Sequence, residues 1–167
     1  MHQPGNSSAS ASQVTIREFQ PGDETAFRKL NEEWITRYFQ MEAKDLEALS
    51  DPQSTILASG GRILFAHIGD ECVGCCGLLR SGTNEFEIGK MAVTSSRQGS
   101  GVGRKLLQAA IEAARSAGAR RLYLETNHTL TPAINLYRSV GFQHLPADRI
   151  VPSPYARADV YMEMILD

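Results

Sequence analysis

The sequence predicts an α+β fold in which a mostly antiparallel, mixed sheet of six to seven strands is flanked by about four helices. The hydrophobic period switches repeatedly between two, which is typical of strands, and about 3.6, which is typical of helices. Three strand-like runs follow one another with only tight turns between them, and this pattern predicts an antiparallel meander. Because 167 residues with 42% hydrophobic content suffice for one core, we expect a single domain over 13–167 after a disordered tail over 1–12.

Each predicted element begins or ends at a local signal. Pro21 and Asp23 precede the first helical pattern, and Gly118 and Gly141 stand where two later helices should end. No internal repeat is present, and no change in composition divides the chain. In order, the predicted elements are strand 14–19, a helix after Asp23 that carries the apolar positions 27 to 38, helix 43–50, strands 62–68, 72–80 and 83–93, helix 101–117, strand 120–126, helix 132–140, and strands 142–145 and 158–166.

Charge and composition exclude some classes of partner. The formal net charge of -2 and the pI near 6.1 provide no basic surface for nucleic acid and no polybasic patch for a membrane. No segment has the pattern of a secretory leader, and no run of about 20 apolar residues is present. We therefore expect a cytoplasmic protein that acts on a small molecule or a peptide.

The cysteines and histidines indicate neither a disulfide framework nor a metal site. Cys72, Cys75 and Cys76 lie within one predicted strand, whose alternation places Cys72 and Cys75 on opposite faces, so we expect reduced thiols. The four histidines are scattered along the chain, and we expect no bound metal.

Glycine alternates with other residues where a predicted strand leads into a helix, in the segment "QGSGVG" from Gln98 to Gly103. Backbone amides at the start of a helix have no acceptor within the helix, and a glycine-lined hollow exposes them to an anion such as a diphosphate. The spacing fits neither the nucleotide P-loop nor the dinucleotide fingerprint. A glycine turn that merely connects the strand and the helix is the alternative.

Three motifs in the same order resemble the GCN5-related N-acetyltransferase (GNAT) family. "QGSGVG" matches its pattern [RQ]xxGx[GA], "FEIGKMAV" is similar to the strand before it, and "PAINLYRSVGF" is similar to the signature AxxLYxxxGF. The resemblance spans about 85–142 and implies a splayed sheet with acetyl-CoA bound along this strand and loop. Many members carry Asn where this chain has Leu130, so Asn127 or Asn135 is expected to replace it. The cofactor-binding residues implied by the resemblance are Met91, Ala92, Val93, Gln98, Gly99, Ser100, Gly101, Val102, Gly103, Arg104, Asn127 and Asn135.

Acetyl transfer to an amine requires a base for the ammonium and an acid for the departing thiolate. At pH 7 an amine of pKa about 10.4 costs about 4.6 kcal/mol to deprotonate, so such an acceptor needs the base. Strand alternation places Glu85, Glu87, Gly89, Met91 and Val93 on one face, and the resemblance favours Glu87 over Glu85 as the base. By the same resemblance, the acid is Tyr137.

The acceptor is expected to be the primary amine of a small molecule, acetylated by direct transfer in a ternary complex. Arg157, at the start of the last strand, is a candidate to hold an acceptor carboxylate, and Trp34 and Tyr38 are candidates to wall the same pocket. The sequence leaves open a protein N-terminal or lysine acetyltransferase and a non-catalytic acetyl-CoA-binding module. It is also compatible with a homodimer.

Overall fold

The computed structural model describes residues 13–167, and it contains every helix and strand that the sequence predicts. The predicted tail over 1–12 lies outside the described residues. A single π turn over Gln53–Leu57 was not predicted. The helices and strands are β1 (Val14–Glu18), α1 (Glu24–Tyr38), α2 (Ala43–Ser50), β2 (Arg62–Ile68), β3 (Glu71–Gly82), β4 (Glu85–Val93), α3 (Val102–Ser116), β5 (Arg121–Thr126), α4 (Thr131–Val140), β6 (Gln143–His144) and β7 (Val160–Ile165).

All seven strands belong to one sheet, in the order β1-β2-β3-β4-β5-β7-β6. The neighbouring strands are antiparallel, except that β4 and β5 are parallel. A parallel pair needs a crossover connection, and α3 provides it. The predicted α+β fold with its meander of β2, β3 and β4 is therefore confirmed.

The sheet is splayed between β4 and β5. Their pairing runs from Glu85 with Arg121 to Ile88 with Leu124 and goes no further, although β4 continues to Val93. Beyond that point β5 pairs only with β7. The second half of β4 therefore has a backbone edge with no strand against it on the β5 side, and a wedge opens between the two strands.

Helices cover both faces of the sheet, and the sheet separates the core into two layers. On one face, α3 packs its apolar stripe, including Leu106 and Ala110, against β2, β3 and β4, and α4 adds Leu136. On the other face, α1 and α2 bury Phe27 and Leu49 against the same strands. The wedge between β4 and β5 therefore lies between two helical layers.

A β-bulge at Lys90 changes which side chains of β4 share a face. Gly89 is opposite Gly77, but Ala92 is opposite Cys75, so β4 advances three residues while β3 advances two. Lys90 has φ of 50°, which is rare for a residue other than glycine. The predicted common face from Glu85 to Val93 is wrong for this reason: Glu87 faces the α1 side, whereas Met91 and Val93 pack on the α3 side.

A second bulge, in β3, corrects the expected orientation of the cysteines. Ala66 is opposite Gly74 and His67 is opposite Cys72, so β3 contains one extra residue at Val73. Cys72 and Cys75 consequently pack against the same α1-side core, not on opposite faces. All three cysteines are unpaired, and burial raises the pKa of the Cys76 thiol to about 12.

No helix within residues 13–167 is both long enough and apolar enough to cross a bilayer. The same range contains no group of at least three His, Cys, Asp or Glu side chains placed to hold a metal ion.

Candidate active site

The loop between β4 and α3 depends on glycine for its backbone conformation. Gly99 and Gly101 have φ of 78° and 89°, in the left-handed region that side chains with a Cβ rarely adopt. A Cβ built at either position would meet no atom within 4 Å, so packing does not require glycine there. Gly101 is the N-cap of α3, immediately before the first helical residue, Val102. The left-handed conformations of these two glycines therefore determine how the first backbone amides of α3 are oriented.

The first amides of α3 are available to a ligand. Within residues 13–167, the backbone N–H groups of Gly101, Val102, Gly103 and Arg104 donate no hydrogen bond. They lie at the positive end of the helix dipole, and Arg104 adds a guanidinium, held by the hydroxyl of Ser139 at 3.0 Å. This arrangement of donors fits the diphosphate of acetyl-CoA.

A groove of about 600 Å³ begins at these amides and runs toward the wedge. The side chains of Met91 and Val93 from β4 and Leu136 from α4 line it with apolar surface. Tyr38 of α1 lines it as well, and its hydroxyl lies 3.2 Å from Oε1 of Gln98. Polar donors at one end and an unpaired strand edge along an apolar wall fit a phosphorylated pantetheine chain.

Four residues predicted to bind the cofactor are placed where their side chains do not line this groove. The side chain of Val102 is buried in the α3 core, so this residue offers only its amide. Ser100 is exposed and donates its hydroxyl hydrogen to the carbonyl of Arg97. Asn135 is exposed and borders neither this groove nor the second cavity described below. Asn127 faces that second cavity, and Leu130 lies between the two.

A second cavity, of about 170 Å³, adjoins the groove at the wedge. The two share five lining residues, so they meet, and their common boundary is the place where two substrates would come into contact. The shared residues are Trp34, Met91, Leu130, Ala133 and Tyr137. The prediction that Tyr38 walls the same pocket as Arg157 is wrong, because Arg157 lines the second cavity and Tyr38 lines only the groove.

Glu87 lies in the second cavity, one residue before the last residue of β4 that pairs with β5. Its carboxylate makes no hydrogen bond to any residue in the described range 13–167, and it is mostly buried. Burial raises the pKa of Glu87, the charge of Glu125 acts in the same direction and that of Lys90 against both, and the resulting pKa is about 7. A carboxyl group of this pKa exchanges protons near neutral pH.

Glu125 is a cavity residue that the sequence analysis did not select. Its Oε2 accepts a hydrogen bond from the Tyr123 hydroxyl at 3.0 Å, and its Oε1 accepts one from the Ser153 hydroxyl at 2.8 Å. Both donors are neutral, so Glu125 has no counter-ion among these contacts. The alternation of β5 puts Tyr123 and Glu125 on one face, but no sequence signal marks the end of the β4–β5 pairing.

Tyr137 lies at the boundary between the groove and the second cavity. Its ring packs edge-on against Phe142, with 6.1 Å between the ring centroids. Its hydroxyl has no hydrogen-bond partner within the part of the chain described. Burial raises the pKa of this phenol above its usual value, so it carries its proton at neutral pH.

Arg157 lines the second cavity, but other residues already occupy its guanidinium. Nη1 and Nη2 donate to the two carboxylate oxygens of Asp45 at 2.7 and 2.6 Å, and Nη1 also donates to Glu42 at 3.2 Å. The carbonyl of Arg157 accepts a hydrogen bond from Nδ2 of Asn127 at 2.7 Å. The bidentate contact predicted from Arg157 to an acceptor carboxylate would have to displace Asp45.

Comparisons with known proteins agree with this arrangement. A model described as the acetyltransferase (GNAT) family matches residues 24–142. The uncharacterized N-acetyltransferase YsnE of Bacillus subtilis (strain 168) is 38% identical over 104 residues, which cover 61% of this chain and 64% of that protein.

Solved structures show the same fold. An acetyltransferase of the GNAT family from Staphylococcus aureus Mu50 has a TM-score of 0.82 at 20% identity and covers 93% of this chain and 100% of that chain. A Bacillus subtilis acetyltransferase in complex with CoA has a TM-score of 0.68 at 20% identity, and the match covers 92% of this chain and 99% of that chain. The family that the motifs predict is thereby confirmed, and the chain belongs to the GNAT family of acetyltransferases.

Proposed function

We propose that this chain transfers acetyl from acetyl-CoA to the primary amine of a small molecule, directly within a ternary complex. The observation that supports the proposal most strongly is the meeting of the two cavities at Tyr137, with Glu87 in the second cavity. The groove that starts at the α3 amides fits one substrate, and the second cavity fits the other. Acetyl-CoA supplies the acetyl group as a thioester.

Glu87 is the proposed base. An ammonium that enters the second cavity meets a carboxylate without a hydrogen-bond partner in the described range, and burial brings the pKa of that carboxyl to about 7. Removal of a proton from the ammonium exposes the lone pair that attacks the thioester carbon. Glu125, held by two neutral hydroxyls, keeps the cavity attractive to the ammonium before the proton moves.

Tyr137 is the proposed acid. Its hydroxyl is free to donate, and its raised pKa keeps the phenol protonated over the working pH range. Donation to the departing thiolate sulfur turns a poor leaving group into a thiol.

Direct transfer is supported by the position of the cysteines. A covalent route would need a thiolate beside the thioester, but Cys75 and Cys76 are fully buried, and neither lines the groove or the second cavity. Burial also raises the pKa of both thiols, which disfavours the thiolate.

A small acceptor is favoured over a polypeptide because a loop closes one side of the second cavity. The amide of Ala156 donates to Oε1 of Glu42, the N-cap of α2, at 3.1 Å. Arg157 binds Asp45 in the first turn of the same helix. The segment between β6 and β7 is thereby held against α2. A polypeptide acceptor would require this side to open.

A thiol-release assay tests the proposal. The protein is mixed with acetyl-CoA and a panel of primary amines, peptides with free N-termini and lysine-containing peptides. Release with small amines that is lost in Glu87→Gln supports the proposal. Release with peptides alone would instead indicate a protein acetyltransferase, and CoA binding without release from any acceptor would indicate a binding module. The single domain over 13–167, the cytoplasmic location and the homodimer stay predictions.

A further inference from the structure

A buried cluster of charges forms one wall of the second cavity. Asp45 is 0% exposed and accepts hydrogen bonds from Nζ of Lys90 at 3.1 Å and from both amino groups of Arg157. Its backbone-capping contact with the amide of Glu42, at 2.9 Å, fixes it at the start of α2. These bonds lower the pKa of Asp45 to about 2 despite its burial, so it is charged throughout the neutral range.

The cluster uses both cations that line the cavity. Lys90 and Arg157 are the only basic residues among those lining it in the described chain, and their side chains are 8% and 17% exposed. The ring of Tyr155 contacts both, with its centroid 4.5 Å from Nζ of Lys90 and 4.7 Å from Cζ of Arg157. The Tyr155 hydroxyl also lies 2.9 Å from Nζ. Without any acceptor, each cation therefore already pairs with the Asp45 carboxylate and contacts the ring of Tyr155.

The carboxylates of the cavity have no such partner. Glu125 accepts hydrogen bonds only from neutral hydroxyls, and Glu87 has no hydrogen bond within residues 13–167. The groups without a cationic partner that face the acceptor are thus the two carboxyls of Glu87 and Glu125, while the positive groups are bound to Asp45. In a partly buried site, such an arrangement attracts an ammonium and repels a carboxylate.

We propose that Asp45 determines acceptor selectivity: by binding Lys90 and Arg157, it makes the cavity select primary amines that carry no carboxylate beside the reacting nitrogen. The inference rests on the proposed function, because it names the acceptor class of the same site. Asp45 does not line the cavity and acts through the two cations. It is therefore a positioning residue.

Matched ligand pairs test the proposal. Phenethylamine is compared with phenylalanine, and pentylamine with norleucine, because each pair differs only in the α-carboxylate. We expect the wild-type protein to favour the amine by at least about tenfold in kcat/KM and in affinity measured by calorimetry on the CoA complex. In Asp45→Asn, which removes the charge that binds both cations and leaves Arg157 only its longer contact with Glu42, the preference should fall at least about tenfold through a lower KM for the amino acid. Asp51→Asn, an exposed aspartate just after the same helix, is the control with the same change in net charge and should keep the preference.

A second variant decides the question if Asp45→Asn does not fold. Lys90→Met removes one of the two cations that Asp45 binds and leaves the cavity more negative, so the preference for the amine should stay the same or grow. A smaller preference than in the wild type would overturn the proposal, as would equal binding of both members of a pair, or binding of neither, by the wild type. Calorimetry measures acceptor binding without acetyl transfer, so it tests the selectivity separately from the proposed function. A protein that prefers the amine but transfers no acetyl would contradict the proposed function and leave the selectivity standing.

Discussion

Oε1 of Glu33 lies 2.9 Å from the backbone nitrogen of Ser95 and accepts its hydrogen bond. The same oxygen accepts the Ser95 hydroxyl at 2.8 Å and the Thr94 hydroxyl at 3.1 Å. Glu33 precedes Trp34 on α1, so these bonds join the helix that borders both cavities to the segment that leads into Gln98 and the glycine loop. The bonds also lower the pKa of Glu33, with the amide of Ser95 as the largest cause.

Glu33→Ala should therefore weaken CoA binding severalfold, because the glycine loop loses an anchor on α1. Its effect on stability should depend on pH. The pKa of Glu33 is lowered in the folded protein, so its contribution is present above the unfolded value and is lost as pH falls through the folded value. Melting temperatures should differ from the wild type at pH 7 and converge as the pH falls below the lowered pKa of Glu33. Glu32→Ala is the control, since Glu32 pairs with Arg28 on the outer face of the same helix. A pH-independent difference would contradict the role given to the carboxylate.

Gly101→Ala should weaken CoA binding by about tenfold, because displacement of two aligned amides at a helix start costs about 1.4 kcal/mol. The left-handed conformation at Gly101, with φ of 89°, is unfavourable for alanine. Gly118 has φ of 82° at the far end of α3 and likewise has no atom within 4 Å of an added Cβ, so Gly118→Ala carries the same backbone strain away from the groove. Calorimetry on both variants should show the loss in the first only. Equal CoA affinities of the two variants would show that the diphosphate does not bind at this loop.

Glu87→Gln should lower kcat by about a hundredfold and abolish the rise of activity with pH. In the wild type, burial raises the pKa of Glu87 to about 7, so the basic carboxylate is scarce below pH 6 and dominant above pH 8. The rate of transfer should follow that titration with an apparent pKa near 7. A variant that keeps the full rate and the same pH profile would exclude Glu87 as the base.

The sign of the same shift predicts a stability effect. A carboxyl whose pKa is raised by folding favours the folded state most at low pH, and this contribution is lost as pH rises toward 7. Glu87→Gln removes a buried charge, so its melting temperature relative to the wild type should be higher at pH 8.5 than at pH 5. A difference that does not change between the two pH values would mean that Glu87 is not desolvated.

The sequence predicts the elements of this fold because hydrophobic period and glycine position are local signals. The β-bulges escape such reasoning, since one inserted residue leaves the composition of a strand unchanged and Lys90, not a glycine, occupies the left-handed position. The cluster at Asp45 escapes it too, because Asp45 and Arg157 are 112 residues apart. Only the capping pattern of Glu42 and Asp45 is visible locally, and it indicates a helix start, not a cavity wall.

Tyr137→Phe should lower kcat by about a hundredfold and leave the affinity for CoA nearly unchanged, because only the departing thiolate needs the phenolic proton. The structure separates this role from a structural one. The Tyr137 hydroxyl has no hydrogen-bond partner in the described range, so its removal breaks no internal contact, and the ring still packs on Phe142. The melting temperature should therefore stay within about one degree of the wild type, since no buried partner is left unsatisfied. Leu136→Ala, on the adjacent residue of α4, is the contrasting variant: it removes groove wall and core contacts, and should raise the Kd for CoA and lower the melting temperature together. If Tyr137→Phe instead keeps its full rate, or loses rate only in proportion to a drop in melting temperature, the proton comes from another group.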